Sequence, residues 1–365
     1  MSGRYRDDVS TPAERSHMAS NFKVDPDKLR DSAKHLTEQV APAYATSAST
    51  LRTNGKIDPP GFGIALSFLE AAYTSKLDFM ALDVQGAHDV SAEIATRLNQ
   101  TAAEYDKGEN LNIAGFDGKG STPEGLGSAF LGALGNSVPS GAGVAVLELA
   151  TILACAGSLE TCAGLCPPFI PAAIAIPLFI CNIPSIMGAG AALIEEARHI
   201  KDVLNSAFDL MCSSASDDWE GEGEKNFKLL TNKVKTHLDD LGDYINTVGT
   251  VLEAIGGILI ALWIGLIALA VPFLIWLIAM RLAEASPPWL QDAVLEPIIE
   301  GAGVVIGTSV LTTLAGVESG VTAVAAVLSG VGSQLIGLLS PPDSGKGGVP
   351  DMQEFHVDQN YSAPL

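Results

Sequence analysis

Residues 254–280, AIGGILIALWIGLIALAVPFLIWLIAM, run 27 positions without a charged side chain. No other feature limits the fold as tightly. About 20 apolar residues in a helix cross a bilayer, and an apolar surface of that length needs cover of some kind. The run is read as a membrane-spanning helix that Arg281 ends. Residues 161–194 also lack charge over 34 positions, but Pro167, Pro168, Pro171, Pro177 and Pro184 interrupt them. Each proline removes a helix donor, so residues 145–190 are expected as a broken apolar segment instead of one regular span. Residues 281–340 are expected as further apolar helices rich in small residues. Gly303 with Gly307, and Gly316 with Gly320, have the GxxxG spacing that lets helix backbones approach closely in a membrane. Ser286-Pro287-Pro288 would join these helices to 254–280 as an inserted hairpin.

The charges lie between these apolar blocks. The chain carries 42 Asp and Glu against 21 Lys and Arg, a formal net charge of −21. Phosphate backbones are held by clustered bases, so this balance excludes a nucleic-acid partner. Residues 23–109 read as an αα-hairpin. Asp25-Pro26 is a helix start, an acceptor at the cap followed by a residue preset at helical φ. Leu29, Ala33, Leu36 and Val40 follow at helical spacing, and Pro42 should kink or end that helix. The run Asp58-Pro59-Pro60-Gly61 marks the turn. A second stripe is read through Ile64, Phe68, Ala72, Leu77, Leu82, Val90, Ile94, Leu98 and Ala102.

Residues 191–253 repeat the pattern. One stripe is Leu193, Ala197, Ile200, Leu204, Ala207 and Met211; the next is Phe227, Leu230, Val234, Leu238, Leu241, Ile245 and Val248. Neither hairpin buries its stripes alone, so the two are expected to form one four-helix bundle. The fold class is therefore all-α: two hairpins in a bundle, plus apolar helices that insert in membrane. A polar leader over 1–22, a Gly/Ser/Pro linker over 110–144 and a tail over 341–365 are expected to be disordered.

Chemistry finds little to work with. The six histidines are scattered, no phosphate-cradling glycine loop is present, and no nucleophile lies in a recognisable frame. The five cysteines lack the paired spacing of a zinc site and read as buried thiols. No catalytic residue, metal ligand or cofactor is assigned, and the chain is expected not to be an enzyme. Two short motifs stand out by position. Trp219-x-Gly221 occupies the turn between two amphipathic helices, where the ring can dock and glycine permits a tight bend. Tyr105-x-x-x-Glu109 ends the first hairpin, and on a helix its two side chains share one face.

With these motifs the chain resembles the substrates of type VII (ESX) secretion. That class carries Trp-x-Gly in a hairpin turn, matched by Trp219 and Gly221, and exports through YxxxD/E after a second helix, matched by Tyr105 and Glu109. Residues 23–109, from VDPDKL to AAEYDKGE, resemble the EspC family; residues 191–280 resemble the WxG-bearing part of the EspA family. The acid is Glu109 where aspartate is commoner. The first hairpin has Gly61-Phe62-Gly63 in place of WxG, and Tyr244 is followed four residues on by Val248. Each hairpin thus holds one half of a composite signal. The resemblance implies a secreted or cell-surface, actinobacterial virulence factor that engages the type VII secretion ATPase. It also implies an ESX chaperone or co-secreted WxG proteins as partners, with membrane lipid or a second copy meeting the apolar half. The alternative expectation is a resident inner-membrane protein.

Overall fold

A computed structural model describes residues 24–110, 149–217, 219, 222–283 and 294–338. Of these residues 92% are helical, and none lies in a strand. The leader, most of the linker and the tail lie outside the described residues.

The first hairpin begins where Asp25 caps α1 (Pro26–His35), its Oδ1 accepting from the Asp27 and Lys28 amides. Of the two outcomes expected at Pro42, a kink or an end, the helix is not ended but is distorted just before the proline. A π-turn over Leu36–Val40 precedes α2 (Ala41–Asn54), and the Ala41 amide reaches back five residues to Leu36. The widened turn lets the chain continue past a residue that has no amide to donate. Gly61 and Gly63 then adopt φ of 61° and 78°, the left-handed backbone that glycine accepts freely. Phe62 between them is buried edge-on against Tyr73. The Tyr73 hydroxyl donates to the Gly55 carbonyl at the end of α2 and so closes the hairpin.

The returning helix, α3 (Ser67–Asn110), buries Leu77, Val90, Ile94, Leu98 and Ala102 as expected, but not the other members of the stripe read from the sequence. Ile64, Phe68 and Leu82 are 70%, 47% and 61% exposed, and Ala72 is exposed too. The buried face runs through Leu69, Tyr73, Leu77, Met80, Val84, Ile94, Leu98 and Ala102. This helix carries two apolar stripes, and the expectation merged them.

The apolar segment opens with α4 (Leu149–Leu165). Its prolines then break it as expected, into a 3-10 turn Pro167–Phe169, the short α5 (Ile170–Ala175) and a second turn Ile176–Phe179. The next helix, α6 (Ile183–Arg198), passes through the boundary drawn at residue 191. A second π-turn, His199–Asn205, leads into α7 (Ser206–Ser216). The extra residue in this turn moves the buried face by one position, from the expected Ala207 and Met211 to Phe208 and Cys212.

The long α8 (Glu222–Ala283) joins the second arm of this hairpin to the 254–280 run without a break, so no boundary falls at 253. Its stripe from Phe227 to Val248 is buried throughout. Among the described residues beyond α8, one helix, α9 (Glu296–Leu338), stands where several were expected and lies back along α8.

The two hairpins pack on each other, α2 on α6, α1 on α7 and α3 on α8. At the far end of the bundle the two loops interlock. The Ala65 amide donates to the Leu178 carbonyl at 2.8 Å, the Asn182 amide to the Gly61 carbonyl at 2.9 Å, and the Asp58 amide to Ser185 Oγ at 2.7 Å. Beyond these loops α8 continues into an apolar lobe with α4, α5 and α9. Phe169, Phe273 and Trp276 stack through the lobe. At its tip Arg281 donates to the Leu165 carbonyl and pairs with Glu296 at 2.7 Å.

Candidate functional site

The helix register brings the two motif-bearing turns to one end of the bundle. Asp83 on α3 faces His237 on α8 at 3.1 Å, and seven residues back Lys76 faces Tyr244 at 3.2 Å. The helices are therefore antiparallel, and continuing the same register sets residues 101–105 level with 215–219. The helix start at α1 reaches this end too, because Arg30 bridges to Asp106 and α1 packs on α7. The π-turns in the two N-terminal arms, 36–40 and 199–205, sit midway along this interface. Beside them Glu196 accepts from the Ser47 hydroxyl across the hairpins.

Trp219 is 4% exposed and Tyr105 6% exposed, and both belong to the continuous core. Trp219 lies tilted on Phe227 with ring centroids 5.6 Å apart. A Cβ on Gly223 would stand 3.0 Å from the indole. The described residue that makes room for the ring is thus Gly223, which sequence reading passed over. Gly221 lies outside the described residues. Glu109 falls in the last turn of α3, and its side chain also lies outside them. What is placed together is the pair of aromatic anchors at the bundle end remote from the apolar lobe.

The four glycines assigned to membrane-helix packing divide. Gly303 and Gly307 are buried, but they face Cys166, Pro168 and Phe169 of the 3-10 turn instead of a second helix. A Cβ on Gly316 or Gly320 would meet nothing within 4 Å among the described residues. The close helix pair is elsewhere, between α6 and α8. Gly242, Gly249 and Gly256 repeat every seven residues along α8; the last two face α6, and Gly242 faces Lys201 of the π-turn and the end of α6 at Ala197. A Cβ on Gly249 would stand 2.7 Å from the Gly190 carbonyl oxygen and 2.8 Å from Ile194 Cγ1. The heptad interval was the available signal.

Burial controls the titrating groups of the bundle. It pushes the Glu196 carboxyl up from the usual range, against a smaller opposing effect of the Ser47 hydrogen bond. It pushes the Tyr44 phenol and the Cys212 thiol up as well. The five cysteines are free and buried, and among the described residues no three His, Cys, Asp or Glu side chains converge as a metal site would require. Three stretches, Pro167–Ser216, Gly223–Ala283 and Glu296–Ala326, are helical and apolar enough over sufficient length to cross a membrane. In the second and third only 33% and 28% of the most apolar window is buried.

Residues 18–117 match the family model described as excreted virulence factor EspC, type VII ESX diderm. The match spans the first hairpin, including Tyr105 and Glu109, and leaves the remainder of the chain uncovered. No curated protein and no solved structure matches the chain.

Proposed function

We propose that this chain is a non-enzymatic type VII (ESX) secretion substrate that carries both halves of its export signal. In this reading the secretion ATPase engages one composite surface, built from the Trp219-x-Gly221 turn and the Tyr105-x-x-x-Glu109 helix end. The match over residues 18–117 supports an ESX substrate. The observation that carries the composite signal is the antiparallel register of α3 and α8, which brings Tyr105 and Trp219 to the same end of the bundle. After export the apolar lobe inserts in membrane or closes on a second copy. Before export its exposed apolar surface requires cover by an ESX chaperone or a co-secreted WxG protein.

Secretion into culture filtrate, with and without the ESX ATPase, tests this reading. Tyr105 is buried, so Tyr105→Ala would disturb packing along with recognition. Glu109→Ala, with Tyr105→Phe to preserve the ring, is the cleaner pair. Export of the parent chain should depend on the ATPase, and Glu109→Ala should lower it severalfold with an unchanged melting temperature. Export without the ATPase, or undiminished export of Glu109→Ala, contradicts the proposal. The three candidate spans favour a second reading, a resident inner-membrane protein. Recovery only in carbonate-resistant inner membrane would decide for it.

A further inference from the structure

Where the bundle meets the apolar lobe, α3, α8 and α9 enclose a slot of about 250 Å³. Its walls are apolar, with Phe68, Ala72 and Tyr73 from α3, Leu252 and Ile255 from α8, and Ala325 from α9. The α8 residues stand at the start of the 27-residue uncharged run, so the slot lies at the level where the chain would leave water for lipid. One charged residue, Lys76, lines it. Lys76 donates to the Tyr244 hydroxyl at 3.2 Å and lies 5.7 Å from the centre of that ring. It forms no ion pair with a described carboxylate, in a chain that carries twice as many acids as bases. Glu253, beside Leu252 in sequence, turns to the α6 side against Gly190.

An apolar groove with a single cation at the depth of a bilayer interface has the chemistry of an anionic phospholipid site. The groove takes acyl chain, and the lysine reaches from an apolar bed to the phosphate. The exposed Phe68 and Ile64 agree with this level. The amide beside Ile64 is bonded to Leu178, which ends an exposed line with Ile170 and Ile174 on the broken apolar segment.

We propose that the slot binds one anionic glycerophospholipid, with its acyl chain between α3, α8 and α9 and its phosphate on Lys76. The inference rests on the membrane reading above and names the lipid contact within it. The full chain is inserted into vesicles of equal phosphatidylglycerol and phosphatidylcholine, extracted in mild detergent and weighed by native mass spectrometry. One retained phosphatidylglycerol is expected, preferred over phosphatidylcholine roughly fivefold, the worth of a single lysine near an anionic surface. Lys76→Gln should abolish the preference and keep a retained lipid. Ala72→Trp should fill the slot and remove the lipid at unchanged helix content and melting temperature.

An inserted parent chain that retains no lipid overturns the proposal. Equal retention of the two phospholipids, or uptake of a free fatty acid in place of a phospholipid, does so too. A chain that never resists carbonate extraction from the vesicles overturns the membrane reading itself, and the slot assignment with it.

Discussion

Glu196 is the residue at which the bundle is least at ease. It sits on α6 between the two hairpins, buried, and the Ser47 hydroxyl from α2 donates to it. Burial raises its folded pKa above the ordinary 4.5, while His199 opposes and Glu195 adds to the rise. A raised carboxyl contributes stability that is complete below its unfolded pKa and is lost as pH climbs through the raised folded value. The interface between the hairpins should therefore be firmer at mildly acidic pH than at neutrality. Glu196→Gln removes the ionisation and keeps an acceptor for Ser47, so it should stabilise the protein at pH 7. Urea midpoints measured from pH 4 to pH 8 should fall with pH for the parent chain and flatten for the variant. A variant matched to the parent at pH 4 but less stable at pH 8 would mean that the charge is held for stability. Gly63 is constrained in another way, because only a residue without a Cβ fits its backbone and its surroundings. At φ 78° an added Cβ would run into the Ile180 carbonyl oxygen, so Gly63→Ala should cost about 1–3 kcal/mol and loosen the interlocked loops. Thermal unfolding reads that loss.

Among the helices, the pairing of α6 with α8 through glycine governs how closely the second hairpin closes. Gly249→Ala places a methyl inside contact distance of Gly190 and Ile194, and should destabilise by about 1–3 kcal/mol. A Cβ on Gly257, eight residues along the same helix, would meet nothing within 4 Å among the described residues, so Gly257→Ala should be neutral or stabilise by about 0.5–1 kcal/mol. Equal melting temperatures for the two variants would remove the close-approach argument. These helices also mark how far sequence could be read. The Phe227 to Val248 stripe and the Asp25-Pro26 start were legible because local periodicity and capping dictate them. Ile200 and Leu204 were read correctly, but the positions after Leu204 were off by one because a π-turn adds a residue that no 3.6-residue period anticipates. On α3 an outer stripe of Phe68, Ala72 and Leu82 competed with the inner one, and only tertiary packing separates them. The glycine spacing at 303 and 307 was read as a helix-pairing signal, whereas a proline-broken turn fills that groove. The pairing glycines at 242, 249 and 256 repeat at seven, an interval that the search for GxxxG missed.

At the scale of the whole molecule, a charged bundle and an apolar lobe share one helix, α8. From Leu252 to Arg281 it extends about 43 Å, more than the roughly 30 Å hydrocarbon core of a bilayer. Arg281, Glu296 and the Leu165 carbonyl gather at the tip, where a span would return to water. The motif residue types at 105, 109, 219 and 221 could be picked out of the sequence, but their relation could not, because it depends on the register between helices 150 residues apart.

That register is the centre of the account. Glu104 and Asp217 are both exposed and flank the two aromatic anchors. Spin labels placed there through non-natural amino acids, which spare the five native thiols, report their separation by pulsed electron double resonance. The account requires a distribution centred below about 25 Å. A hairpin packed in the opposite sense would put the labels a bundle length apart, about 50 Å for 34 residues of helix, and a distribution there would contradict it.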